Sequence, residues 1–192
     1  MARRPKSFEE RCQELAGALH IIERAIQDCE QGHGTPPLTA VAIQLRALLI
    51  RAGRNRPLLV ELARERNFPL TVYATDPGYL DRITKIAGSP PIFYSTVDML
   101  SLEQNPMFPV ETTLAEALKL RYVTILDKEL SLERVIRLVA NTEAAHYDPE
   151  RPVELDSLDV VGLGGLPAHY RTVYHLGRIT RDLGRQFIEA TA

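Results

Sequence analysis

The spacing of apolar positions predicts a long amphipathic helix near the start of the chain. Cys12, Leu15, Leu19, Ile22, Ile26 and Cys29 follow a 3-4-3-4-3 spacing, which draws one narrow seam that needs a partner helix or bundle. Ser7 and Glu10 form a capping box at its start, Gly32 and Gly34 end it, and Pro36-Pro37 keep it from resuming. The second helix, from Thr39 to Ala52, is apolar nearly all round. Val41, Leu45 and Leu48 make one face, and Ile43, Ala47 and Ile50 make another. Such a helix belongs at the centre of a domain. Gly53 closes it, and Asn55 caps a third helix with Arg56-Pro57 in its first turn.

From Phe68 the pattern shifts toward strands at 69–75, 92–99 and 121–126, with short helices at Tyr79 to Ala87 and around Leu114 to Leu120. The stretch from residue 100 into the second of these helices reads as a loop. The last helix, begun by Pro167, carries Val173, Leu176, Thr180, Leu183 and Phe187 on one stripe, a partner for the seam of the first helix. Gly177 and Gly184 flank that stripe and permit close approach. Arg171, Arg178 and Arg185, with His175, Asp182 and Glu189, read as a solvated mixed-charge face. The fold expected is therefore α+β and predominantly helical, a helix bundle with a small sheet of about three short strands. One domain spans 1–192, with 1–6 a flexible N-terminus.

One further helix organises the chemistry. In SLERVIRLVANTEAAHYD, from Ser131 to Asp148, Ser131 is the N-cap, and Leu132, Val135, Ile136 and Val139 share a face. Continuing the same wheel carries Glu143 and His146 onto that apolar face and groups Arg134, Arg137 and Asn141 opposite. Ionisable groups on a buried stripe need partners, since unpaired burial costs on the order of 1–3 kcal/mol. Two readings follow. In the structural one the helix has already emerged from the core, or Glu143 and His146 pair at i, i+3; in the functional one Glu143, His146 and Asp148 form an acid/base or metal site. A Glu-x-x-His metal pair also needs carboxylates from other helices, and none can be assigned.

Composition narrows the function classes. Apolar content of 45% and charged content of 25% are those of an ordinary globular protein, and no apolar run approaches membrane-spanning length. The start, MARRPKSFEERC, has basic residues but no apolar run behind them, so no secretory signal is expected. Cys12 and Cys29 fall on the first helix seam and read as buried thiols in a reducing cytoplasm. A net charge of −2 gives no global attraction to nucleic acid, so any such binding needs a local patch. Arg54, Asn55 and Arg56, beside Arg51 at a helix N-terminus, are a candidate anion site, against a structural reading in which the arginines pair with Glu61 and Glu65. The run Gly162-Leu163-Gly164-Gly165 lacks nucleotide-loop spacing and reads as a turn. No cofactor is expected.

The run from Leu138 to Asp148, LVANTEAAHYD, resembles the signature of an uncharacterised family of bacterial proteins whose helix ends in A-N-K-[ED]-G-G-A-H-x-D. LLIRAGRNRPLLVELARE, from Leu48 to Glu65, looks like the same family's helix–Gly–Asn–Pro–helix segment. The chain departs from it by carrying Ala144 in place of a glycine pair, one residue shorter. That resemblance implies a fold neighbourhood and no activity. Asn141, Ala144, Ala145 and His146 also resemble the active helix of HEPN ribonucleases, whose histidine is the general base on a ribose hydroxyl. Arg137 would then be the phosphate-stabilising arginine, at a spacing longer than that family's. The leading expectation is a soluble cytoplasmic bacterial binding or accessory module of unknown ligand, forming a homodimer through its helices. The alternatives are an RNA-cleaving HEPN-like enzyme using His146, Asn141 and Arg137, and a metal-binding protein at Glu143, His146 and Asp148.

Overall fold

A computed structural model of the chain describes residues 4–33, 36–53, 56–75, 93–95, 109–119, 121–125, 128–141 and 168–192. The first helix, α1, runs over Phe8–Glu30. It starts where the capping box demands: the Glu10 amide donates to Ser7 Oγ at 3.1 Å, and the Ser7 amide to Glu10 Oε2 at 2.6 Å. Of its seam, Leu15, Leu19, Ile22 and Ile26 are buried, and Cys12 and Cys29 are half-buried at its two ends.

Helix α2 spans Pro36–Leu49 and begins three residues earlier than the sequence suggests. The two prolines form its first turn, where a missing N–H and a fixed φ cost nothing. The turn after it needs Gly53, at φ +59°. Helix α3 spans Leu58–Glu65, and its N-cap is Pro57, which makes no side-chain cap bond. The expected cap, Asn55, lies outside the described residues together with Arg54.

The strands depart from the single sheet expected. Strand β1 (Thr71–Thr75) lies between β2 (Phe93–Ser95) and β3 (Pro109–Thr113), antiparallel to both. The third predicted strand does not join them. Strand β4 (Arg121–Ile125) pairs instead with β5 (Lys128–Ser131) in a separate two-stranded ribbon. Only two residues separate β4 from β5, so this local antiparallel pairing has the smallest closure entropy. The place beside β1 is taken by 109–113, which falls in the stretch read from sequence as loop and opens on Pro109. A proline at the first position of an edge strand forfeits no ladder bond. Helix α4 (Leu114–Ala117) follows β3 directly from a Thr113–Glu116 capping box.

Helix α5 spans Leu132–Ala140, with Ser131 Oγ accepting from the Arg134 amide at 3.2 Å. Leu132, Val135, Ile136 and Val139 are buried as the wheel requires. Asn141 is the C-cap, and Glu143 and His146, which the wheel places on the same face, lie outside the described residues. Helix α6 covers Ala168–Thr191. The short helix expected at Tyr79 to Ala87 and the glycine-rich turn at 162–165 lie outside the described residues.

Helices α1, α2, α5 and α6 pack into the main core, with α2 against the other three and α3. Close approach to α6 depends on its glycines. A Cβ at Gly184 would meet Leu19 Cδ1 at 2.7 Å, and one at Gly177 would meet Val41 Cγ1 at 2.6 Å. At one end, Phe187 takes the edges of Phe8 and Phe68, with centroids 6.5 and 5.4 Å away, and Arg66 stacks over Phe8 at 4.1 Å. Most of the described chain outside the strands is thus helical, and no described helix is long and apolar enough to cross a membrane.

Candidate functional site

Of the residues singled out in sequence, the structure describes Arg56, Arg137 and Asn141; Arg54, Asn55, Glu143, His146 and Asp148 lie outside the described residues. Arg137 and Asn141 are brought against the end of α2 by a pair of crossed arginines. Arg46, in the last turn of α2, donates to Asn141 Oδ1 at 2.8 Å. Arg137, in the last turn of α5, donates to the Arg51 carbonyl at 3.0 Å. Each cation thereby sits at the negative end of a helix dipole, which alone favours arginines here. The Arg137 guanidinium also grips Glu133 Oε1 through Nε and Nη2 at 3.0 and 2.8 Å. Arg56 donates to Glu61 Oε2 at 3.1 Å, and Arg64 to Glu61 Oε1 at 2.9 Å. The expected carboxylate pairing therefore occurs at Glu61, whereas Glu65 is held by Arg11 at 2.6 Å.

Arg46 and Arg56 share a larger feature that the sequence did not single out. The first half of α1 and the second half of α2 flank a groove of about 830 Å³. Its base is made by small residues, Gly17, Ala18 and Ala47, and its apolar end by Ile21 and Ile43. These two isoleucines, 44% and 39% exposed, are the large hydrophobic side chains left open among the described residues. The rest of the lining is basic: Lys6, Arg11, Arg46 and Arg56 stand there with one carboxylate, Glu14, which Lys6 holds at 2.5 Å.

The groove corrects the reading of α2 as buried on every side. Its Val41–Leu45–Leu48 face is buried, and so is Ile50, but Ile43 and Ala47 are exposed. The sequence held a signal for this. Ile21 falls off the α1 seam, and α2 has more apolar surface than one seam can use.

The strongest shifts in acidity lie in α6 instead. His169 is fully buried, and neither ring nitrogen has a hydrogen-bond partner among the described residues. Burial holds its pKa down at about 4, so the ring is neutral. His175 is also held down at about 4, first by burial and then by the charges of Arg178 and Arg171. Tyr174 is pushed up to about 12 by burial and by its 2.5 Å hydrogen bond to Glu30 Oε1. Arg171 is only 5% exposed, so the face read as solvated is buried at its N-terminal end. Burial also raises the Cys12 and Cys29 thiols, which leaves neither activated as a nucleophile.

Among the described residues, no three His, Cys, Asp or Glu side chains converge as a metal-ligand group; the Glu143, His146 and Asp148 set lies outside them. No protein-family model matches the chain, and neither does any curated protein or solved structure.

Proposed function

We propose that the protein is a binding module and that the groove between α1 and α2 is its ligand site. The observation that carries this reading is that both exposed isoleucines stand at one end of one concave, basic-edged groove. Isolated exposed apolar residues need no explanation, but two that frame one groove mark an interaction site. The volume lies within the range of ligand pockets. The polarity gradient along the groove suits a ligand with an apolar body and an anionic end. Anilinonaphthalene sulfonate, an apolar dye with one negative group, is a direct probe. Saturable one-to-one binding is expected, with loss in an Ile21→Glu, Ile43→Glu protein that melts at an unchanged temperature. Equal binding by that variant removes the groove from the reading.

A second reading, an HEPN-like ribonuclease using His146, is favoured by the crossed arginines. They hold Asn141, five residues before His146, against the guanidinium of Arg46. An RNA phosphate would find cations there. RNA cleavage by the wild-type protein and none by His146→Ala is the expected pattern, and cleavage that survives the substitution rules it out.

A further inference from the structure

We infer that the occupant of the groove is an amphipathic helix of a partner protein, bearing carboxylates on the flank that meets Arg46. The inference rests on the reading of the groove as the binding face and adds the class of ligand. Shape is the first argument. The lining on α1 extends from Arg11 to Ile21, roughly 15 Å along the axis, the length of nearly three helical turns. Two antiparallel helices leave between them a furrow that accepts the ridge of a third. A Cβ built on Gly17 meets nothing within 4 Å, so the base is open to a side chain from above. Ile21 and Ile43 at its apolar end, with Gly17, Ala18 and Ala47 along its base, are the contacts for an apolar stripe recurring at i, i+3, i+4 and i+7.

Charge is the second argument and selects the flank of that helix. The chain as a whole carries −2, yet four cations and one carboxylate line the groove. Glu14, Glu65 and Glu61 neutralise Lys6, Arg11 and Arg56. Arg46 has only the neutral amide of Asn141 among the described residues. A guanidinium partly buried beside apolar residues and facing no carboxylate among the described residues favours an incoming acid. A basic or neutral helix would leave that charge uncompensated.

The test uses a synthetic fourteen-residue helix with leucines on one stripe and glutamates beside it, a lysine counterpart, and fluorescence anisotropy. The glutamate peptide should bind roughly tenfold more tightly than the lysine peptide, and added salt should erode the preference. Arg46→Gln, which keeps a donor for Asn141, should remove most of that preference without changing the melting temperature; Ile43→Glu should abolish binding of both peptides. If the dye binds in the groove and neither peptide does, the helix inference fails while the groove reading stands. If dye and peptides all fail, both fall. Equal affinity for the two peptides overturns the acidic flank. Self-association that Ile43→Glu reverses in sedimentation equilibrium would assign the groove to a second copy and overturn a separate partner.

Discussion

Acidification should destabilise this protein well above the range in which its carboxylates titrate, and His169 is the reason. An unfolded chain presents His169 to water with an ordinary pKa of 6.5, whereas burial holds the folded value at about 4. Because the folded value is depressed, the stability tied to the neutral ring is fully present above pH 6.5. It is lost as the pH falls from there toward 4. At about 1.36 kcal/mol for each pH unit across that gap, the loss reaches ~2 kcal/mol by about pH 5 and a limit of ~3.4 kcal/mol below the folded value. His175, lowered for the same first cause, acts in the same direction. Against a typical total of about 5–15 kcal/mol, this is a large fraction. Urea unfolding at several pH values, for the wild-type protein and for His169→Phe, measures it. The variant should lose less stability between pH 7 and pH 5, by ~2 kcal/mol. It should also lose little at pH 8, because the two ring nitrogens that leave have no described partners. Identical pH slopes for the two proteins would show that His169 is not a buried neutral ring.

Three further predictions concern the bundle. Gly184→Ala drives a methyl into Leu19 and should cost about 1–3 kcal/mol, whereas Gly17→Ala meets open space and should stabilise α1 by up to about 1 kcal/mol; paired thermal melts separate them. Phe187→Ala, emptying the space between Phe8 and Phe68 in a fully buried site, should cost roughly 3–5 kcal/mol in denaturant unfolding, and a loss below about 1 kcal/mol would contradict that packing. Arg137→Met removes the bonds to Glu133 and to the Arg51 carbonyl; a loss of about 1 kcal/mol is expected, with faster amide exchange at the end of α5, and unchanged exchange would argue against the crossed arginines.

Much of the helical framework is legible in the sequence because its causes are local. The Ser7 and Ser131 caps, the α1 seam and the α5 face follow from side chains three and four residues apart, and all stand where periodicity places them. The pairing of α1 with α6 is legible for a related reason: two apolar stripes need cover, and Gly184 leaves room for Leu19. Strand pairing is not local. The sequence marks 121–126 as extended, but its partner depends on which segment closes the shorter loop and which already occupies the side of β1.

The same division runs through the candidate site. Periodicity shows that α2 carries more apolar surface than one seam can use, and a net charge of −2 gives no global attraction to nucleic acid. Which face of α2 stays open is a property of the packed bundle. Helices α1, α5 and α6 cover the Val41–Leu45–Leu48 side, while Ile43 and Ala47 face outward beside Ile21. The identity of an arginine likewise says nothing of its role. Arg137 is tied down by Glu133 and a backbone carbonyl from another helix, and Arg46 keeps a charge that no described carboxylate answers. Spacing along the chain determines which side chains share a helix face. Contacts between residues distant in sequence decide which faces are consumed by the core and which remain to bind.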